Sequence, residues 1–145
     1  MNTKTQTPPF QHSGTFERLM DAYEQNYILM RRLFGDLKHL KSGDECPWDA
    51  NITSKIIAKS KFTLDVQFTD QLVVGNKNRP LKLKVRVYHD ARTAELLDPA
   101  HRNQCLQELT SKCTEQQFKR NRLLKNWLIK QVNILSGGYN LSMPE

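Results

Sequence analysis

The sequence predicts a single α+β domain: an antiparallel β-meander of three to five strands, with an N-terminal and a C-terminal helix packed on one face. Three observations carry that expectation. Apolar residues recur at three- and four-residue steps near both ends of the chain. In the middle they alternate with polar residues at a spacing of two. The links between the alternating segments are too short for the crossover helices that parallel strands need.

The first helix is expected from about Thr15. Phe16, Leu19, Met20, Tyr23, Tyr27, Met30, Leu33 and Phe34 form its apolar stripe, with Glu17, Arg18, Glu24 and Arg31 between them. Thr15 is placed to cap its start and Gly35 its end. Residues 36–51 mix turn formers with the acids Asp36, Asp44, Glu45 and Asp49, which reads as an exposed loop anchored by Trp48.

Period two then takes over. Phe62, Leu64, Val66 and Phe68 alternate with polar residues, and so do Leu81, Leu83, Val85 and Val87. Residues 75–80 supply a turn between these strands, and residues 72–74 form a short strand or the shoulder of the hairpin. Asp90-Ala91 starts a second turn into a strand over 93–97, and residues 52–58 add an edge strand. The last helix should begin at the capping box Thr114-Glu115-Gln116-Gln117 and end near Leu135, before Gly137-Gly138.

With 145 residues there is room for one core and no second domain. The expected boundaries are a disordered tail over 1–13, the domain over 14–140 and a C-terminal tail over 141–145. The polar start contains no apolar run of signal-peptide length, and no stretch is long enough to span a bilayer, so the expected location is the cytoplasm, away from membranes. Cys46, Cys105 and Cys113 are odd in number and widely spaced, and are expected as free thiols.

Chemistry-bearing motifs are sparse. His12, His39, His89, His101 and the cysteines make no paired ligand spacing, and His101 with Cys105 supplies only two ligands, so no metal is expected. The glycines form no phosphate-cradling pattern and no cofactor is called for. No elbow presents a nucleophile. Tyr88-His89-Asp90 lies where a strand meets a turn, and Asp in a turn most often bonds its own backbone.

The charge pattern carries the functional signal. Lys and Arg outnumber Asp and Glu by 22 to 15, a formal net charge of +7. Such an excess attracts anionic partners. Lys82, Lys84 and Arg86 should project from the sheet face opposite the core, with Lys77 and Arg79 extending the row and Tyr88 continuing it. On the last helix Lys119, Arg122, Lys125 and Lys130 oppose an apolar arc of Leu123, Leu124, Trp127, Leu128, Val132, Ile134 and Leu135, and no acid occurs from Gln116 to Met143. The expectation is a non-enzymatic binding or adaptor protein acting on an anionic macromolecule, RNA first. A regulator docking on an acidic protein is the alternative, and an enzyme of unrecognised type comes third.

The stretch from Leu83 to Ala91, containing Tyr88-His89-Asp90-Ala91, is followed by Ala94-Glu95. It resembles the middle of the YqiB-like family, small bacterial proteins of unknown function. Leu19-Met20, Asn26-Tyr27, Arg31-Arg32-Leu33 and Asn126-Trp127-Leu128 are similar as well, so the likeness runs from about residue 15 to 140. The resemblance implies a cytosolic one-domain protein with helices at both ends of a β-meander, and it implies no catalytic residue. The segment from Arg102 to Lys112 and the extension before Thr15 depart from the pattern.

Overall fold

A computed structural model describes residues 14–47, 51–74, 77–97 and 111–135. Helix α1 (Gly14–Phe34) leads through a 3₁₀ turn (Leu37–His39) to five strands: β1 (Glu45–Pro47), β2 (Ile52–Lys59), β3 (Thr63–Val74), β4 (Lys77–Tyr88) and β5 (Thr93–Leu96). Helix α2 (Ser111–Leu135) follows. Every strand pairs antiparallel with its neighbour in sequence, giving one sheet in the order β1-β2-β3-β4-β5. The α+β meander expected from the sequence is the fold that forms.

Alternation decides which face is covered. Leu64, Val66 and Phe68 of β3 lie opposite Val87, Val85 and Leu83 of β4, and all six are buried. Met30 and Leu33 of α1, with Leu124 and Leu128 of α2, pack on that face, so both helices cover one side of the sheet. The Phe68 ring stacks against Trp127 at 4.9 Å between centroids, and the Trp127 indole N–H donates to Asp70 at 3.0 Å. The aromatic anchor of α2 is thereby fixed at both its apolar body and its polar tip.

Helix ends depart from the expected caps. Thr15 lies inside α1, which starts at Gly14, and Thr114 lies inside α2, which starts at Ser111. Gly35 does end α1: its φ of +75° is the left-handed conformation glycine adopts freely, and its N–H donates to the Arg31 carbonyl at 2.8 Å.

The hairpin between β3 and β4 is tighter than expected. Residues 72–74 and 77–80 belong to the two twelve-residue strands rather than to a shoulder and a turn. Pro80 sits opposite Gln71 in β4, where β5, pairing only with Val85 to Tyr88, leaves the far side of the strand open. A proline, which has no N–H to give, is tolerated there. The segment 52–58 forms most of β2, but the edge position belongs to β1, inside the expected loop. Leu37, 1% exposed, anchors that loop, and Trp48 lies outside the described residues.

The apolar arc of α2 is rotated from the expected one. Leu123, Ile134 and Leu135 are exposed, while Asn121, Leu124, Leu128 and Gln131 are buried. At about 100° per residue, the buried arc centres near Leu124 and Gln131, so Leu123 falls roughly a quarter turn off it. Phe62 precedes β3 and is exposed with Lys61 above its ring, not in the core. Cys113 is disulfide-bonded and Cys46 is a free thiol. The expectation of a free thiol is corrected at Cys113 and holds at Cys46, and Cys105 lies outside the described residues. The expected tails, 1–13 and 141–145, and Gly137-Gly138 also lie outside the described residues.

Candidate functional site

Strand register places Lys82, Lys84 and Arg86 of β4 on the sheet face opposite the core. Lys82 is exposed, and Lys84, Arg86 and Tyr88 are half-buried. Lys84 stands opposite Gln67, and Gln67 opposite Lys55 of β2, so Lys55 joins this face. Lys77 and Arg79 lie in β4 opposite Val74 and Leu72, in a stretch described by its backbone.

Arg86 is not a free cation of that row. Its Nε and Nη2 donate to the two carboxylate oxygens of Asp65 at 2.8 and 3.0 Å, a bidentate pair across the β3–β4 ladder. Hydrogen bonding to Asp65 holds the guanidinium pKa above its ordinary value. Asp65 is itself buried, and a buried carboxylate requires such a partner. Tyr88 is committed as well, since its hydroxyl donates to Glu95 of β5. Burial first, and then this hydrogen bond, push the phenol up to about 12. Sequence inspection alone gives Arg86 the appearance of its neighbours; Asp65 becomes its partner only once β3 and β4 are in register.

On α2, Lys119, Arg122 and Lys130 are exposed and Lys125 is half-buried. They point away from the sheet because Leu124 and Leu128 point toward it. The two basic surfaces therefore lie on opposite sides of the molecule, and the structure does not bring them into one patch.

The α2 cations instead join α1. Arg18, Asp21 and Ala22 face Phe118, Arg122, Lys125 and Asn126 across a groove of about 340 Å³. The Arg18 guanidinium sits 4.9 Å from the centre of the Phe118 ring. Arg18, Arg122 and Lys125 face one acid, Asp21, so the groove carries a positive excess. Arg18 and Phe118 are absent from the sequence-derived candidates. Each occupies an ordinary position on its own helix, and only helix packing sets them side by side.

The two helices are held in that relation by buried amides. Asn26 lies 0% exposed and Asn121 1%. The Asn26 side chain donates to Asn121 Oδ1 and to the Ala94 carbonyl, each at 3.4 Å, and Asn121 Oδ1 also accepts the Leu96 N–H at 2.8 Å. Asn121 in turn donates to the Gln117 carbonyl at 2.8 Å.

His89, the middle residue of Tyr88-His89-Asp90, points elsewhere from Tyr88. It is 8% exposed, and its backbone N–H donates to the Phe62 carbonyl at 2.9 Å. Burial, with the charges of Lys38 and Lys59, holds its pKa below the ordinary value. Among the described residues, no group of three His, Cys, Asp or Glu side chains is placed to hold a metal ion, and no helix is long and apolar enough to cross a membrane.

Residues 29–133 match the profile of a family described as a protein of unknown function, DUF1249. No curated protein and no solved structure matches the chain.

Proposed function

We propose, for a chain that belongs to the DUF1249 family of unknown function, that it is a non-enzymatic binding protein whose α1–α2 groove receives an anionic macromolecule, single-stranded RNA first. The observation that carries this reading is the gathering of Arg18, Arg122 and Lys125 around Phe118 with one opposing acid. Cations along a groove track a phosphate backbone, and an aromatic ring within it offers a base a stacking surface. Lys119 and Lys130 extend the same side of α2. Lys82 and Lys84 form a second, opposite surface, and Arg86 is held by Asp65.

Other parts of the reading rest on sequence. The Tyr88-His89-Asp90-Ala91 motif supports a YqiB-like, bacterial assignment. One domain over 14–140 and a cytoplasmic location complete the picture.

Fluorescence anisotropy with labelled RNA homopolymers at low salt tests the reading. Arg122→Glu with Lys125→Glu should weaken binding strongly, and each phosphate that is no longer neutralised should flatten the salt dependence by roughly 0.7 in log–log slope. Lys82→Glu with Lys84→Glu should change affinity far less. If RNA does not bind at low salt, or the groove variant binds as wild type does, the RNA reading fails. A single acidic protein recovered in a nuclease-insensitive pull-down, and absent when the same groove variant is the bait, would then assign these cations to a protein partner.

A further inference from the structure

A second pocket lies at the β5 edge, away from the basic groove. It has a volume of about 350 Å³ and is lined by Met20 and Tyr23 of α1, Tyr88 of β4, Ala91 of the following turn, and Thr93 and Glu95 of β5. That volume is at the lower end of the roughly 300–1,000 Å³ typical of small-molecule sites. Two phenol rings and a thioether make most of its wall apolar, and one carboxylate stands among them.

The charge arithmetic around Glu95 is what distinguishes the pocket. In register, Arg86 is flanked by Asp65 on one side and Glu95 on the other. Both guanidinium hydrogen bonds that reach a carboxylate go to Asp65. The hydrogen-bond partner of Glu95 is the neutral Tyr88 hydroxyl. Asp65 therefore takes the Arg86 guanidinium, and Glu95 meets the pocket with a neutral hydrogen-bond partner. Burial first, and then the charge of Glu95, raise the Tyr23 phenol above its ordinary value, with Arg120 opposing. A bound cation accordingly belongs at the Glu95 end of the pocket.

We propose that this pocket binds an alkylammonium group, with Glu95 as counter-ion and the rings of Tyr23 and Tyr88 and the Met20 thioether around its carbon substituents. Aromatic rings attract cations through their quadrupole, and they do so best where water is thin, which is how quaternary and methylated ammonium groups are recognised in general. A bare metal ion would lack ligands here, since Glu95 is the sole carboxylate in the lining. An ammonium group with apolar substituents matches both halves of the wall.

The group can come from a free small amine or from a lysine side chain of another protein, and titration separates these sources. Choline and n-butylammonium represent the first. A short peptide carrying lysine, in plain and trimethylated forms, represents the second. The control is 3,3-dimethylbutan-1-ol, which has the shape of choline without its charge. Calorimetry and amide chemical shifts of Tyr88, Thr93 and Glu95 provide the readout.

Saturable binding of any of the cationic probes, with those three amides shifting and the neutral alcohol at least about tenfold weaker, is the expected result. Tighter binding by the peptide would assign the site to a lysine, and tighter binding by choline or butylammonium to a free amine. Glu95→Gln keeps the shape and should weaken binding by about tenfold or more. The wild-type comparison between choline and the alcohol stands even if that variant does not fold. Equal affinity for choline and the alcohol, no saturable binding of any cationic probe, or unchanged affinity in folded Glu95→Gln would overturn the proposal. RNA binding by the groove is not at stake in any of these outcomes.

Discussion

Asn26 of α1 and Asn121 of α2 meet in a fully buried position, the side-chain nitrogen of the first 3.4 Å from the side-chain oxygen of the second. That oxygen also takes the Leu96 backbone N–H, so two side chains hold both helices and the edge strand in one arrangement. An amide removed from such a place strands its partners without water. Asn121→Leu should cost about 1–3 kcal/mol in urea unfolding. Adding Asn26→Leu should cost less than it does alone, because the two share a hydrogen bond. Strictly additive losses would show the residues to be uncoupled.

A second expectation concerns Asp65. Asp65→Asn leaves the Arg86 guanidinium with a neutral partner on a half-buried face and should destabilise by roughly 1–3 kcal/mol, less than a fully buried pair because Arg86 remains 35% exposed. Arg86→Glu should be worse, since it sets two carboxylates face to face across β3 and β4, and thermal melts should rank it below Asp65→Asn. A melting temperature for Arg86→Glu equal to that of wild type would contradict the pairing.

The third expectation is a pH dependence centred on His89. Its folded pKa is lowered, by burial first and then by Lys38 and Lys59, with Asp90 and Asp36 opposing. The unfolded chain therefore takes up the proton at a higher pH than the native one does. Stability from this group is complete above the ordinary histidine pKa of about 6.5 and is lost as pH falls through that value toward the lower native one. Urea midpoints measured between about pH 7.5 and about pH 5 should fall more steeply for wild type than for His89→Gln. Parallel curves would exclude His89 as the source.

Much of the sheet was legible because burial acts on alternate residues: Leu83, Val85 and Val87 identify their covered face without any knowledge of what covers it. The α2 arc was harder to place. Asn121 and Gln131 are buried polar residues, and a scale that sends polar side chains outward rotates the helix away from them and toward Leu123. Cross-element pairs were not legible at all. Nothing local in Asp65, Arg18 or Phe118 names its partner, because the register of β3 on β4 and the packing of α1 on α2 create those pairings. The candidate groove therefore emerged with the tertiary structure, although its α2 cations were already on view.

The order of the strands has a consequence for synthesis. Each strand pairs with the one made just before it, so the meander can zip along as the chain lengthens, closing only short loops. The pairing of Asn26 with Asn121 spans 95 residues and belongs to the end of that process. Until α2 arrives, the finished sheet presents Val66, Phe68, Val85 and Val87 without the Leu124 and Leu128 that cover them. A chain halted before α2 should thus be a client for chaperones, and a lesion in the last helix should act as a defect of maturation before it acts as a defect of binding.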